Sequence, residues 1–275
     1  MRKLTLACSL ALLALVSTGC EKLKARDHLN KGVQAFKSSK FNTAVDHFRQ
    51  AVELDPDFPS ARLYLATAYM SQYIPGAESE ENQRNAKAAE QEFLKVLEKD
   101  PNHTLAIESR ASLHYNSASG NQPMEQKVKK LNEADKWYAM LAEKDPNNKV
   151  SYYSRGVTTF LKFYPAVQGA RAQLGMKPDD PGPLKDPKLR EELRAKWSEP
   201  VNQGIKHLEK ALEIDKEYDD AMAYINLLIR WRADMVDTPD QWKKEVDIAD
   251  NWVQRTMDTK KVKAERAANK GNAAE

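Results

Sequence analysis

The sequence predicts an all-α protein built from about five antiparallel helix pairs, with elongated helices and one proline-rich insertion. Three observations carry that expectation. Glycine supplies only 10 of 275 residues, Ala, Leu, Glu and Lys abound, and runs of alternating Val, Ile and Thr are missing, so helix formers dominate without a competing hairpin signal. A helix-ending phrase recurs as AVELDPDFPSA, VLEKDPNHTLA, LAEKDPNNKVS and ALEIDKEYDDA, aligned on Pro56, Pro101, Pro146 and Lys216 at spacings of 45, 45 and 70 residues. In that alignment a small residue falls in each first helix (Gly32, Ala66, Ala111, Gly156), another in each second helix (Ala44, Ala89, Ala134, Gly204), and a large one follows four residues later (Phe48, Phe93, Tyr138, Leu208). Small residues let two helices approach closely, the bulky one fills the space between them, and proline bars its predecessor from helical geometry.

Residues 1–19 stand outside this pattern. MRKLTLACSLALLALVSTGC opens on two positive charges, is apolar from Leu4 to Val16, and ends in small residues before a cysteine. That is the layout of an export signal, too short to cross a bilayer comfortably as a permanent helix. The ending VSTGC resembles a bacterial lipoprotein lipobox, which implies that Cys20 is acylated and becomes the mature N-terminus. Ser17 departs from the aliphatic residue usual there, and ordinary cleavage near Gly19 is the alternative. Cysteine usage favours the lipid: with Cys8 removed, Cys20 has no internal partner, and a lone thiol is a liability in an oxidising compartment. Acyl chains at about 0.8 kcal/mol per buried CH₂ would hold the chain on a membrane. Residues 20–24 then read as the lipidated cysteine and its tether. Glu21 in place of Asp favours, by resemblance to enterobacterial sorting, the outer over the inner membrane, with the protein facing the periplasm.

The units follow in order at about 25–58, 59–103, 104–148, 149–218 and 219–257. Their pattern resembles the tetratricopeptide repeat, a helix-turn-helix unit with a usual period of about 34 residues. The first unit, HLNKGVQAFKSSKFNTAVDHFRQAVELDP, keeps Gly32, Phe41, Ala44, Phe48, Ala51 and Pro56 in that family's slots, while His28 and Lys31 depart from its Trp and Leu. The fifth retains Asn226, Ala249 and Val253 and lacks the closing proline. The resemblance implies a right-handed superhelix whose first helices line a concave side. Three units exceed the family period by 11 residues, about three full helical turns, so a lengthened helix keeps its apolar face in phase. Pro75 and Gly76 break the second unit before a resumed helix, Pro123 opens a helix reaching about Lys144, and Thr238 with Pro239 caps the last.

The fourth unit holds the insertion at 165–200, with six prolines in the stretch YPAVQGARAQLGMKPDDPGPLKDPKLREELRAKWSEP. Asp186 is placed to cap a helix there, Pro187 fits its first turn, and Leu189, Leu193 and Trp197 recur on one face. The insertion reads as a lid, a docking element or a packing brace. Residues 258–275 lack large apolar side chains beyond Val262 and read as a flexible basic tail.

The resemblance places Leu29, Val33, Phe36, Leu63, Met70, Tyr115, Tyr153, Val157, Phe160, Leu227 and Trp231 on the concave side. The alternative for each is packing against a neighbouring helix or the long insertion. A mostly apolar and aromatic groove suits a helix or an extended apolar segment of a partner protein. Leu29, Val33 and Tyr64 stand where a cytosolic branch of the family carries its Lys and Asn clamp for acidic tails, so that ligand is not expected.

Chemistry is sparse. No pair of the five histidines (28, 47, 103, 114, 207) has the i, i+4 spacing that aims two ligands from one helix at a metal, and Asp179, Asp180 and Asp186 lack the ladder of a calcium loop. No phosphate loop or nucleophile elbow occurs. The net charge of +3 falls to +1 once Arg2 and Lys3 are set aside, which argues against nucleic acid. The expected function is therefore that of a non-enzymatic, lipid-anchored scaffold that binds a protein or peptide, without cofactor or metal. A periplasmic carrier or sensor that closes the insertion over a small molecule is the alternative.

Overall fold

In a computed structural model, which describes residues 2–177 and 179–272 and the side chains of 20–177 and 179–269, ten α-helices follow one another. They are α1 (Arg2–Lys37), α2 (Phe41–Leu54), α3 (Pro59–Gln72), α4 (Glu80–Lys99), α5 (Thr104–Ser117), α6 (Met124–Lys144), α7 (Lys149–Gln173), α8 (Pro187–Ile214), α9 (Asp219–Arg232) and α10 (Pro239–Asn272), with one 3₁₀ turn at Ala233–Met235. Among the described residues there is no strand. The chain divides within α6 into two compact halves, Met1–Lys130 and Leu131–Glu275. In the first, α1 pairs with α2 and α3 with α4, and in the second α7 pairs with α8 and α9 with α10. First helices of successive pairs also touch: α1 with α3, α3 with α5, and α7 with α9.

The recurring phrase forms the same turn four times. The N–H groups of Asp55, Asp100, Asp145 and Asp215 close their helices onto the carbonyls of Ala51, Val96, Leu141 and Ala211 at 2.8–3.0 Å. Their own carbonyls then accept from Phe58, His103, Asn148 and Tyr218 at 3.0–3.1 Å. Three of the carboxylates also take the N–H two residues on, from Asn102, Asn147 and Glu217. Aspartate, not the proline after it, is thus the constant part of the signal, which explains why Lys216 stands in the fourth turn without changing it.

The small residues mark close crossings. An added Cβ would lie 2.4 Å from Phe48 Cε1 at Gly32, 2.3 Å from Leu208 Cγ at Gly156 and 2.9 Å from Thr159 Cγ2 at Gly204. Phe48, Phe93 and Leu208 are fully buried. Caps fall where the sequence places them: Asp186 accepts from the N–H groups of Lys188 and Leu189. Thr238 accepts from Gln241 N–H while the Gln241 side chain returns to Thr238 N–H, a reciprocal capping box. The Pro75–Gly76 break is stitched by buried Asn82, whose side chain accepts from Ile74 N–H and donates to the carbonyls of Ile74 and Ala77.

Three segments are more helical than their composition suggests. Of the readings open to the insertion, its place in the fold matches the packing brace: Pro165 lies inside α7 and Pro200 inside α8, so 165–200 lengthens both helices of its pair to 25 and 28 residues, against 14 for α9. Phe163, Val167, Ala170, Leu193, Trp197 and Val201 join one core there, and at about 1.5–3 kcal/mol for each large side chain buried, that packing offsets the roughly 3 kcal/mol of a mid-helix proline. The basic tail is helical as far as Asn272, because Lys263 pairs with Asp219 and Arg266 with Glu217 at 2.6 Å. The tether at 20–24 is part of α1, with Cys20 exposed and Ala25 buried just beyond. The side chains of residues 1–19, on which the export-signal reading rests, residue 178, the side chains of 270–272 and residues 273–275 lie outside the described residues. Among those described, no helix is long and apolar enough to cross a membrane.

Candidate functional site

The most developed surface lies in the C-terminal half, on α7 and α9. Asn148 caps α7 by accepting from Ser151 N–H at 3.0 Å. From that start Tyr153, Phe160 and Tyr164 recur after seven and four residues, which keeps them on one helical face. On α9, Tyr224, Leu227 and Trp231 do the same at spacings of three and four. Because α7 and α9 touch, the two faces merge into one stripe of half-buried rings.

The rings meet in sequence along the stripe. Tyr153 lies 4.9 Å from Tyr218 and 5.8 Å from Tyr224, Tyr224 lies 5.6 Å from Phe160, Phe160 5.3 Å from Tyr164, and Tyr164 5.1 Å from Trp231. Three of these pairs are edge-on, at 78°, 73° and 60°, an arrangement favoured by the ring quadrupoles. A cation closes each end: Lys149 stands 4.8 Å from the Tyr218 ring and Arg171 5.8 Å from that of Trp231. Burial, with Asp220 and Asp215 adding, pushes the Tyr218 hydroxyl up to about 12, and burial and Asp220 raise that of Tyr224. Both remain neutral donors at physiological pH. The stripe is equipped to bind: apolar faces, ring edges and hydroxyls on two rigid helices.

The expected groove residues divide by half. Tyr153, Phe160, Leu227 and Trp231 lie on the α7 and α9 faces just described. Val157 does not belong to the surface, being 1% exposed beneath it, because one residue in each such heptad points at the helix partner. In the N-terminal half, Leu29, Val33 and Phe36 are half-buried against the α1–α2–α3 core, and Phe36 meets Phe41 edge-on at 5.3 Å. Leu63 and Met70 on α3 and Tyr115 on α5 are half-buried. Tyr64 stacks on Phe48 at 5.4 Å. Sequence reasoning missed Tyr164, Tyr218 and Tyr224, although Tyr164 follows Phe160 by four residues and Tyr224 precedes Trp231 by seven.

A second regularity governs how neighbouring pairs join. Glu90 on α4 accepts from Arg110 on α5 at 3.0 Å, and 45 residues on Asp135 accepts from Arg155 at 3.1 Å. The equivalent positions in the outer joints are apolar: Val45 with Leu65, and Ile205 with Ile225, all buried. His114 and then Arg110 hold the Glu90 carboxyl down to about 2. Burial, helped by Arg155, holds His207 down to about 4, so its imidazole is neutral at pH 7.

Residues 34–72, covering the end of α1, α2 and α3, match the family model described as TPR repeat. No curated protein matches the sequence. Among solved structures, the fold is similar to a crystal structure of MamA protein (TM-score 0.55, 13% identity, 88% of this chain and 94% of that one). It is also similar to MamA 41-end from Desulfovibrio magneticus RS-1 (TM-score 0.53, 14% identity, 87% and 96%). At such identities the likeness is one of fold. The fold is thus that of tetratricopeptide helix pairs, and one such repeat is identified by sequence at 34–72.

Proposed function

We propose that this protein is a scaffold, anchored by lipid on Cys20 to a bacterial envelope membrane, that binds a partner protein through the aromatic stripe of α7 and α9. The stripe is the observation that carries the reading, since half-buried tyrosine and tryptophan on rigid helices are the side chains that dominate binding energy at interfaces. The export-signal layout of residues 1–19 and the exposure of Cys20 support the anchor, with the protein facing the periplasm and the outer membrane favoured. Envelope or secretion-complex assembly suits such a scaffold.

Crosslinking in the native membrane with mass spectrometry identifies the partner. Phe160→Ala, Tyr224→Ala and Trp231→Ala are then each expected to cost about 2 kcal/mol or more, roughly thirtyfold in Kd. Undiminished affinity in all three, with the fold intact by circular dichroism, refutes the stripe as the binding face. For the anchor, an acyl probe supplied in vivo is expected to label the wild type and not Cys20→Ser, with the variant leaving the membrane fraction. Equal labelling of the two removes Cys20 as the lipid site.

A further inference from the structure

The helix hairpin α1–α2 brings together two histidines that lie 19 residues apart in the chain, His28 and His47. Their Nδ1 atoms are 3.3 Å apart, with ring centroids at 5.5 Å and planes tilted by 43°. Both rings are half-buried. As an N–H···N hydrogen bond, one ring donating to the other, the separation is at the long end, where N–H···O bonds run about 2.7–3.2 Å. It instead equals the edge of a tetrahedral metal site: two imidazole nitrogens at about 2.0–2.1 Å from one Zn²⁺, subtending the tetrahedral angle, stand about 3.3–3.4 Å apart.

We propose that His28 and His47 form a binding site for a divalent transition-metal ion, ligated through both Nδ1 atoms and clamping α1 onto α2. Among the described residues no cluster of three or more His, Cys, Asp or Glu converges on one point, so the remaining positions fall to water or to a ligand from elsewhere. The site is therefore open and exchangeable, unlike a closed structural zinc centre. Neutral imidazole prefers Cu²⁺ to Zn²⁺ and Zn²⁺ to Mn²⁺. The pair escapes any search for i, i+4 spacing because its ligands come from two helices.

Titration of the full chain with Zn²⁺ by calorimetry, and with Co²⁺ by visible absorption, tests this. One saturable equivalent is expected, with a raised melting temperature on Zn²⁺ addition by mass action. His28→Gln and His47→Gln are each expected to weaken binding by at least about tenfold, since loss even of a ligand's hydrogen-bond partner does as much. Co²⁺-induced broadening of the His28 and His47 ring signals in the wild type keeps the test independent of how the variants fold. No saturable binding, binding unchanged in either variant, or broadening confined to His103, His114 or His207 overturns the proposal.

Discussion

Replacing Arg171 with Met is expected to lower the free energy of unfolding by about 3–5 kcal/mol, as read by urea denaturation of the full chain, because it strands a buried carboxylate. Arg171 and Asp234 are each 3% exposed and meet at 2.8 and 3.1 Å through one guanidinium nitrogen. The rest of the guanidinium is spent on the loop between α7 and α8, donating to the carbonyls of Lys177 and Asp180. The loop is tied a second time by Leu184 N–H to the Asp234 carbonyl. One cation thus fixes the end of α7, the loop and the 3₁₀ turn after α9, and it also stands over Trp231 at the end of the stripe.

The pH dependence of that loss has a definite sign. Burial pushes the Asp234 carboxyl above its ordinary value, with Arg171 pulling it back, so removing Arg171 raises it further. A carboxyl raised in the folded state contributes stability below its unfolded value and loses it as pH rises through the folded one. The Arg171→Met defect is therefore smallest in mild acid and largest at neutral pH. Asp234→Leu added to Arg171→Met is expected to recover most of the loss, since apolar replacement of a whole buried pair is near neutral while loss of one partner is not. A double variant as unstable as the single one at neutral pH refutes the charge argument and leaves the loop hydrogen bonds as the cause.

These residues also mark where the sequence is silent. Helix ends and caps follow rules that act over one to four residues, so Asp186 and Thr238 are readable in one dimension, and the recurrence of the repeat brings out Gly32 and Gly156. Arg171 and Asp234 are 63 positions apart and obey no local rule, and His28 with His47 share no helix. The insertion stays open in sequence for a related reason: its prolines signal breaks locally, yet tertiary packing of Phe163 on Trp197, ring centroids 5.6 Å apart, overrides two of them. The stripe was half legible. The resemblance to the repeat family places Tyr153, Phe160 and Trp231 on the inner helices, but the ring-to-ring sequence through Tyr224 and Tyr164 depends on the register of α7 against α9, which only the fold sets. The tail misled because its helix is held by ion pairs to Glu217 and Asp219 and not by apolar burial.

Adding one methyl group at two glycines of the same helix is expected to act in opposite directions. Gly156→Ala places a Cβ 2.3 Å from Leu208 Cγ and 2.7 Å from its Cδ2. Leu208 is fully buried and cannot swing into water, so α7 and α8 must separate or Leu208 must leave its rotamer. Such overpacking costs about 1–3 kcal/mol. Gly169, thirteen residues along α7, has nothing within 4 Å of a built Cβ, and there Ala is expected to stabilise by about 0.8–1.0 kcal/mol through helix propensity alone. Urea denaturation of the two variants separates the close crossing from the backbone effect that both substitutions share. In Gly156→Ala with Leu208→Ala, the new methyl enters the space the leucine vacates, so the double variant is expected to lose less than the two singles combined. Additive losses, or a stabilised Gly156→Ala, would mean that the helices do not cross at Gly156. Gly32 against Phe48 offers the same test in the N-terminal half, with a built Cβ 2.4 Å from the ring.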